Sequence, residues 1–141
     1  HKIDAKGRII IPTRFREVIK ANGDDGVTIS RMDRCLVAFP FNKWHEIETK
    51  ILSMAEKSAR MRRFRRVFIG GAFECNCDKQ DRILIPPSLR QYAALDKEIV
   101  LVGVLDHFEI CSRDNWENEN KVQEEDMQEE EVRNEISRLG I

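Results

Sequence analysis

Two isoleucine-rich runs mark equivalent places in the chain. Residues 8–11 and 82–85 each follow a polar turn and precede a proline. Because β-branched residues favour strands and proline fits the first turn of a helix, each run predicts a strand followed directly by a helix. The helices are predicted near 13–21 and 87–94, and Asn22-Gly23 provides a C-terminal stop for the first.

A β-hairpin is predicted after each of these helices. Met32-Asp33 and Leu105-Asp106 have the composition of tight turns between apolar runs. The runs on either side predict two strand pairs, at 26–31 with 34–39 and at 98–104 with 107–111.

Residues 3–16 and 77–90 are two copies of one motif, IDAKGRIIIPTRFR and CDKQDRILIPPSLR. About one identity in fourteen positions is expected from ordinary residue frequencies. With an offset of 74 the identical pairs are Asp4/Asp78, Arg8/Arg82, Ile9/Ile83, Ile11/Ile85, Pro12/Pro86 and Arg16/Arg90. The match continues, with small slips, to Asp33/Asp106 and Trp44/Trp116. The chain is therefore an internal duplication.

Two longer segments have helical periodicity. From Phe41 to about Arg66, apolar residues recur at three- and four-residue steps, and the stripe with Trp44 and Ile47 is expected to be core. Residues 114–139 also predict a helix. Its acidic stretch makes that helix marginal without a packing partner.

The near-neutral net charge of −1 conceals an asymmetry. Residues 117–141 hold nine acidic residues against Lys121, Arg133 and Arg138, so residues 1–116, with 21 basic and 16 acidic residues, carry a net charge of +5. A basic body suits a polyanion partner. No apolar run reaches the length of a membrane span, and a cytoplasmic protein is expected.

The sequence offers little support for an enzyme or a metal site. Cys75 and Cys77 would lie on one face of a strand, but no second close pair completes a zinc pattern. We therefore favour structural thiols for all four cysteines, Cys35 and Cys111 included, with a metal site as the alternative. His45 and His107 are isolated, and no catalytic or phosphate-binding motif is present. No cofactor or small-molecule substrate is expected.

Four cations lie close together in the first repeat, around the glycine-containing turn and the helix start: Lys6, Arg8, Arg14 and Arg16. Such side chains neutralise phosphates, and arginine also reads guanine in the major groove. Asp4 could instead hold Arg8 in a structural ion pair, as the repeated Asp78/Arg82 pair suggests. A structural role facing the other repeat is an equal alternative for Arg16.

A second basic cluster lies in the linker segment: Lys57, Arg60, Arg62, Arg63, Arg65 and Arg66. Such a run is most often a solvated helix face, or it complements the acidic tail. A supporting nucleic-acid contact is the alternative. Arg60 and Arg63, with Arg82, are the secondary candidates for such a contact.

The turn–strand–proline segment, Asp-x-x-Gly-Arg followed by apolar residues and proline, resembles the AbrB-type DNA-binding domain. Two such units in tandem, each running on to a tryptophan, are similar to the MraZ family over about residues 1–139. The resemblance implies an α+β, mainly β fold, in which both units form a duplicated swapped-hairpin β-barrel. The implied organisation is a first unit at 1–43, a linker helix at 44–71, a second unit at 72–115 and an acidic C-terminal helix at 116–141.

The same resemblance implies a function. Members form ring-shaped homo-oligomers that bind short direct repeats in double-stranded promoter DNA, with Arg8 on the DNA face. They regulate, usually by repression, the cell-division and cell-wall gene cluster that includes their own gene, which implies a location in the nucleoid. An antitoxin-like protein-interaction module is the alternative. The acidic tail fits that alternative, but the duplication and the long linker helix do not.

The second unit departs from the family pattern. Gln80 and Asp81 stand where the first unit has Lys6 and Gly7. Aspartate tolerates a left-handed backbone, so the turn can persist, but a carboxylate repels phosphate. We therefore expect the first unit to dominate DNA contact. Cys111 stands where family members commonly carry an aromatic residue.

Overall fold

Each isoleucine-rich run forms a short strand that ends before proline, and a helix follows, as the pattern predicts. The computed structural model describes residues 1–21, 23–54 and 58–140. The strands are β1 (Arg8–Ile10), β2 (Gly26–Met32), β3 (Cys35–Pro40), β4 (Phe73–Asn76), β5 (Arg82–Leu84), β6 (Ile99–Val104) and β7 (His107–Ser112). The helices are α1 (Thr13–Ala21), α2 (Phe41–Ser53), α3 (Ala59–Phe68), α4 (Pro87–Tyr92), α5 (Arg113–Gln128) and α6 (Glu130–Arg138).

The two repeats pair through their equivalent strands. β1 and β5 are antiparallel, with Ile9 opposite Ile83. Since these two residues correspond in the 74-residue offset, a local two-fold axis passes between them. The backbone obeys the same symmetry: the N–H of Ile11 donates to the carbonyl of Asp81 (2.9 Å), and that of Ile85 donates to the carbonyl of Gly7 (2.8 Å).

The two hairpins join in one antiparallel sheet of five strands, in the order β4-β2-β3-β7-β6. β3 of the first hairpin lies beside β7 of the second, with Leu36 opposite Ile110. The first hairpin turn lies one residue later than predicted, at Asp33 and Arg34, which both have positive φ. β4, which the sequence pattern did not predict, covers the edge of β2.

Residues on β3 alternate between two cores. Leu36 and Ala38 face the main core, formed with β1, β5, α1 and α4. Val37 and Phe39 face a second core on the other side of the sheet, where Trp44 packs with residues of α2 and α3. The core role predicted for Trp44 and Ile47 is thereby confirmed. It follows that α2 and α3 lie on the side of the sheet opposite β1 and β5.

Both long predicted helices are interrupted. The linker segment forms α2 and α3, because Met54 has extended backbone angles after α2 and Ser58 caps α3 by accepting a hydrogen bond from the N–H of Met61 (3.1 Å). The C-terminal segment breaks at Glu129, which is also extended and separates α5 from α6. Asn22 lies outside the described residues. Gly23 has the positive φ (76°) expected at a helix stop.

Cys35 and Cys111 form a disulfide across β3 and β7, with their Cα atoms 4.7 Å apart. The prediction of thiols is therefore wrong for this pair. Two cysteines that lie directly opposite each other on neighbouring antiparallel strands have Cβ atoms close enough for their sulfur atoms to form a disulfide bond. Cys75 and Cys77 are free, and burial raises the pKa of the Cys75 thiol to about 11.

Candidate nucleic-acid interface

Asp4 organises the turn before β1. Its Oδ1 accepts hydrogen bonds from the backbone N–H groups of Lys6 (3.0 Å) and Arg8 (2.8 Å), and its Oδ2 accepts from Arg8 Nε (2.6 Å). These bonds stabilise the ionised carboxylate, and the backbone bond from Arg8 is the main cause of the lowered pKa of Asp4. The aspartate therefore fixes both the turn and the direction of the Arg8 side chain.

The ion pair and a nucleic-acid contact are compatible for Arg8. A guanidinium has five N–H donors, and the hydrogen bond to Asp4 uses only Nε–H. The four N–H groups on Nη1 and Nη2 are left for a phosphate or a guanine edge. Lys6, at the turn itself, is exposed. The structure therefore shows the ion pair and leaves the nucleic-acid contact of Arg8 as a prediction.

The second repeat reproduces this turn. Asp78 accepts from the N–H groups of Gln80 (2.8 Å) and Arg82 (2.9 Å) and from Arg82 Nε (2.8 Å). The backbone bond from Arg82 is again the first cause of the lowered Asp78 pKa. Asp81 takes the left-handed conformation (φ 60°) that Gly7 takes in the first turn (φ 90°). The turn thus persists without its glycine, as expected.

The outward face of β1 and β5 combines cationic and apolar side chains. Ile9 and Ile83 are fully buried beneath it, so their neighbours on each strand point outward. Ile10 is 64% and Leu84 55% exposed. Arg8 lies opposite Leu84, and Arg82 lies opposite Ile10. The result is a two-stranded ribbon whose outer face carries two arginines and two exposed aliphatic side chains.

Arg16 crosses from α1 to the second repeat. Its Nη1 donates to the carboxylate of Asp81, and its Nη2 donates to Thr13 Oγ1 (2.7 Å). Asp81 is therefore a paired anion at the second turn. The structural alternative described for Arg16, facing the other repeat, is the geometry observed.

Arg90, the counterpart of Arg16, lies at the first turn. A Cβ on Gly7 would stand 2.6 Å from Arg90 Cζ, so the guanidinium packs directly against the glycine backbone. Within the described residues no acidic side chain pairs with it. The repeat pairs Arg90 with Arg16, but Arg90 is not among the site residues predicted from the sequence. Its position depends on the antiparallel pairing of β1 and β5, which places each repeat's helix beside the other repeat's turn.

The net charges of the two turns differ by less than the replacement of Lys6 and Gly7 by Gln80 and Asp81 suggests. The first turn has Lys6, Arg8 and Arg90 against Asp4, a net charge of +2. The second has Lys79, Arg82 and Arg16 against Asp78 and Asp81, a net charge of +1. Lys79, which replaces Ala5 and is exposed, offsets the loss of Lys6.

The remaining predicted cations lie elsewhere. Arg14 is exposed on α1, stacks over the Phe15 ring (5.0 Å) and lines a cavity of about 240 Å³ beside the β6–β7 turn. Arg60 and Arg63 are exposed on α3, on the opposite side of the large sheet from the ribbon. Lys57 lies outside the described residues.

Residues 1–21, 23–54 and 58–140 contain neither a cluster of possible metal ligands nor a helix that could span a membrane. No three His, Cys, Asp or Glu side chains gather there as a possible metal site. None of the helices combines the length and apolar character needed to cross a membrane.

The fold and the site define a class of protein: it is an α+β protein with two repeats, and it presents a two-fold β-ribbon that carries arginines. A family model described as "MraZ protein, putative antitoxin-like" matches residues 1–66 and 68–138. The chain belongs to the MraZ family.

Three similar proteins carry the name Transcriptional regulator MraZ. The protein of Desulforapulum autotrophicum is 60% identical over 141 residues, which cover all of this chain and 95% of the relative. That of Desulfosudis oleivorans is 50% identical over the same shares. The protein of Syntrophobacter fumaroxidans is 43% identical over 128 residues, which cover 91% of this chain and 85% of the relative. These names denote regulators of transcription.

Proposed function

We propose that this protein regulates transcription by binding double-stranded promoter DNA with the β1–β5 ribbon and its two flanking turns. The observation that carries the proposal is the outer face of the ribbon. The major groove admits a two-stranded ribbon, arginine pairs there with guanine, and aliphatic side chains contact the thymine methyl group. Arg8, Arg82, Ile10 and Leu84 supply both kinds of contact on one small face.

Lys6 and Arg90 support this surface as phosphate contacts at the first turn. Phosphate contacts position a protein on the duplex, whereas base contacts provide specificity. Arg14, exposed on α1 beside the β6–β7 turn, stays a candidate for an outer phosphate contact. Arg16 contributes mainly by neutralising Asp81, whose carboxylate would otherwise repel the DNA phosphates. Arg60 and Arg63 are not part of this surface because they lie across the sheet from it.

Membership of the family supports the wider role that we propose. Names of the relatives support a regulator of transcription, and the implied setting is the cytoplasm, on the nucleoid. We propose a ring-shaped homo-oligomer that binds short direct repeats upstream of its own gene and represses the cell-division and cell-wall cluster. Several ribbons on one assembly would raise the affinity for successive repeats through effective concentration, without new types of contact.

A protein-interaction module is the second candidate. The description of the family model and the exposed acidic side chains of α5 and α6 favour it. A partner of this kind would be basic and stoichiometric, whereas DNA binding would be strongly salt-dependent.

Fluorescence anisotropy on duplexes from the region upstream of the gene tests the proposal. We expect tight binding that weakens steeply between 50 and 200 mM salt, and weaker binding to a shuffled duplex of equal length. A Lys20→Ala variant serves as control because Lys20 is exposed at the far end of α1. Equal, weak affinity for both duplexes at every salt concentration would refute the function.

A further inference from the structure

Helix α3 carries a basic surface that the proposed DNA contact does not use. Its ten residues include five arginines and no acidic residue. The outward side, here called the basic α3 face, consists of Arg60, Arg62, Arg63, Arg66 and Val67, all exposed. Among the described residues, no acidic side chain forms an ion pair with these four arginines.

An apolar groove borders this face. A cavity of about 350 Å³ lies between α2 and α3, lined by Leu52, Ile69 and Gly70 together with arginine stems. Leu52 is half exposed there. The surface therefore offers cationic groups beside a recess for an aliphatic side chain, which suits an acidic amphipathic helix better than a uniformly charged ligand.

Helices α5 and α6 have the opposite character. Every side chain from Lys121 to Glu131 is exposed, and residues 117–141 hold nine acidic residues against three basic ones. The acidic tail surface is defined here by its exposed acids: Glu124, Glu125, Asp126, Glu129, Glu130, Glu131 and Glu135. Val122 and Met127 are exposed among them. A helix this acidic, with its apolar residues in water, lacks the packing that stabilises helices in proteins.

The two surfaces lie on different halves of the molecule. α3 packs on β2 of the first hairpin, whereas α5 extends from β7 and contacts β6 and β7. Within the described parts of the chain no ion pair joins α3 to α5 or α6. In the first repeat, α3 covers Trp44, which is 5% exposed. The equivalent Trp116 is only half buried, so the outer face of the second repeat lacks such a cover.

We propose that the acidic tail surface of one copy binds the basic α3 face of a second copy, head to tail. Opposite charges align the helices, and Val122 or Met127 fills the groove beside Leu52. Each copy carries one surface of each kind, so the contact is heterologous and continues to further copies until a ring closes. The contact is the one that the proposed homo-oligomer would use, but it does not depend on DNA.

Charge exchange tests the contact in the absence of DNA. One variant carries Arg60→Glu and Arg63→Glu, and a second carries Glu131→Lys and Glu135→Lys. At 50 mM salt, light scattering should give an assembly for the natural protein and a mass near the 16.5 kDa monomer for each variant alone. An equimolar mixture of the two should recover the assembly. In 1 M salt, where the Debye length is about 3 Å, the natural protein should also dissociate.

The control is Lys20→Glu with Lys97→Glu, which changes the net charge by as much as the α3 variant does, at two exposed positions outside both surfaces. It should assemble like the natural protein, and circular dichroism should show all variants folded. A monomeric natural protein, unchanged mass in both variants, or no recovery on mixing would overturn the contact. So would loss of DNA affinity at unchanged mass in the α3 variant, which would assign that helix to DNA. DNA affinity of the folded variants, measured separately, tests the proposed function by itself.

Discussion

Arg16 in the first repeat donates a hydrogen bond to the carboxylate of Asp81 in the second repeat. The symmetry-related pair is Arg90 and Gly7, where no carboxylate exists. Two arginines at equivalent positions are therefore in different electrostatic states. One is bound to an acid of its own chain, and the other is left beside the turn that carries Lys6.

Replacing Arg8 by alanine should weaken binding to the upstream duplex by about 1–3 kcal/mol per bound unit, because the side chain is expected to read a base. The loss should be much smaller on a shuffled duplex. Anisotropy titrations of the variant and of Lys20→Ala at one salt concentration measure the difference. A folded Arg8→Ala protein with the natural affinity would remove Arg8 from the interface.

Arg82→Ala should cost less affinity than Arg8→Ala. Both turns have three cations, but the net charge of the second turn is one unit lower because Asp81 stands where the first turn has glycine. Because the difference is electrostatic, it should narrow as salt rises. Titrations of both variants at two salt concentrations, with matched thermal stability, provide the comparison. An equal or larger loss for Arg82→Ala at low salt would show that the second repeat is not the weaker one.

Arg90→Ala tests the role of Arg90, which the sequence did not assign to the site, and Arg16→Ala with Asp81→Gly is its matched control. The guanidinium of Arg90 lies next to the first turn and has no acidic partner among the described residues, so its loss should reduce the slope of log affinity against log salt by about one. Arg16 is bound to Asp81, so Arg16→Ala is combined with Asp81→Gly, and this double change, which leaves the net charge unaltered, should change the slope less. If the two slopes fall equally, the Arg16–Asp81 pair does not set the two arginines apart.

The carboxyl groups of Asp4 and Asp78 should titrate with midpoints below 3.8, since backbone N–H groups bind the ionised form. Their folded-state pKa is lowered, so their contribution to stability is present above the unfolded pKa and is lost as pH falls through the folded value. Carbon-detected NMR measures the midpoints, and Asp4→Asn assigns the signals. A midpoint at or above 3.8 would mean that the turns do not hold the carboxylates in solution.

The oxidised protein should expose two reactive thiols on denaturation and four after reduction. The disulfide spans 76 residues, and closing a loop of that size stabilises the folded chain by about 4 kcal/mol in the chain-entropy model. Cys35→Ala with Cys111→Ala should therefore unfold at lower denaturant, whereas Cys77→Ala should not lose this contribution. Four thiols before reduction would show that the bond does not form.

The repeat explains why much of the fold was readable from the sequence. Local signals such as the turn aspartates, the prolines after β1 and β5 and the hairpin turns depend on neighbouring residues. The interruptions of the long helices were not visible in the sequence, because the apolar periodicity continues across Met54 and Glu129 although the backbone is extended at both residues. β4 lacked a signal of its own, since half of its residues are polar and its pairing with β2 supplies its structure.

The site was predicted in part for the same reason. Arg8 and its aspartate are four residues apart, so their pairing could be anticipated. The Arg16–Asp81 pair, the location of Arg90 and the outward direction of Ile10 and Leu84 all depend on the register of β1 against β5. That register is a contact between residues more than 70 positions apart, which periodicity does not encode.

The bond between Cys35 and Cys111 also has a topological consequence. It closes a covalent circle that contains α2, α3, the second turn and both strands of the second hairpin. A single protease cut anywhere in that circle, including the segment between α2 and α3, would leave the halves attached until the sulfur bridge is reduced. The disulfide thus keeps β1 and β5, the two strands of the ribbon, in one molecule even after the peptide chain between them has been cut.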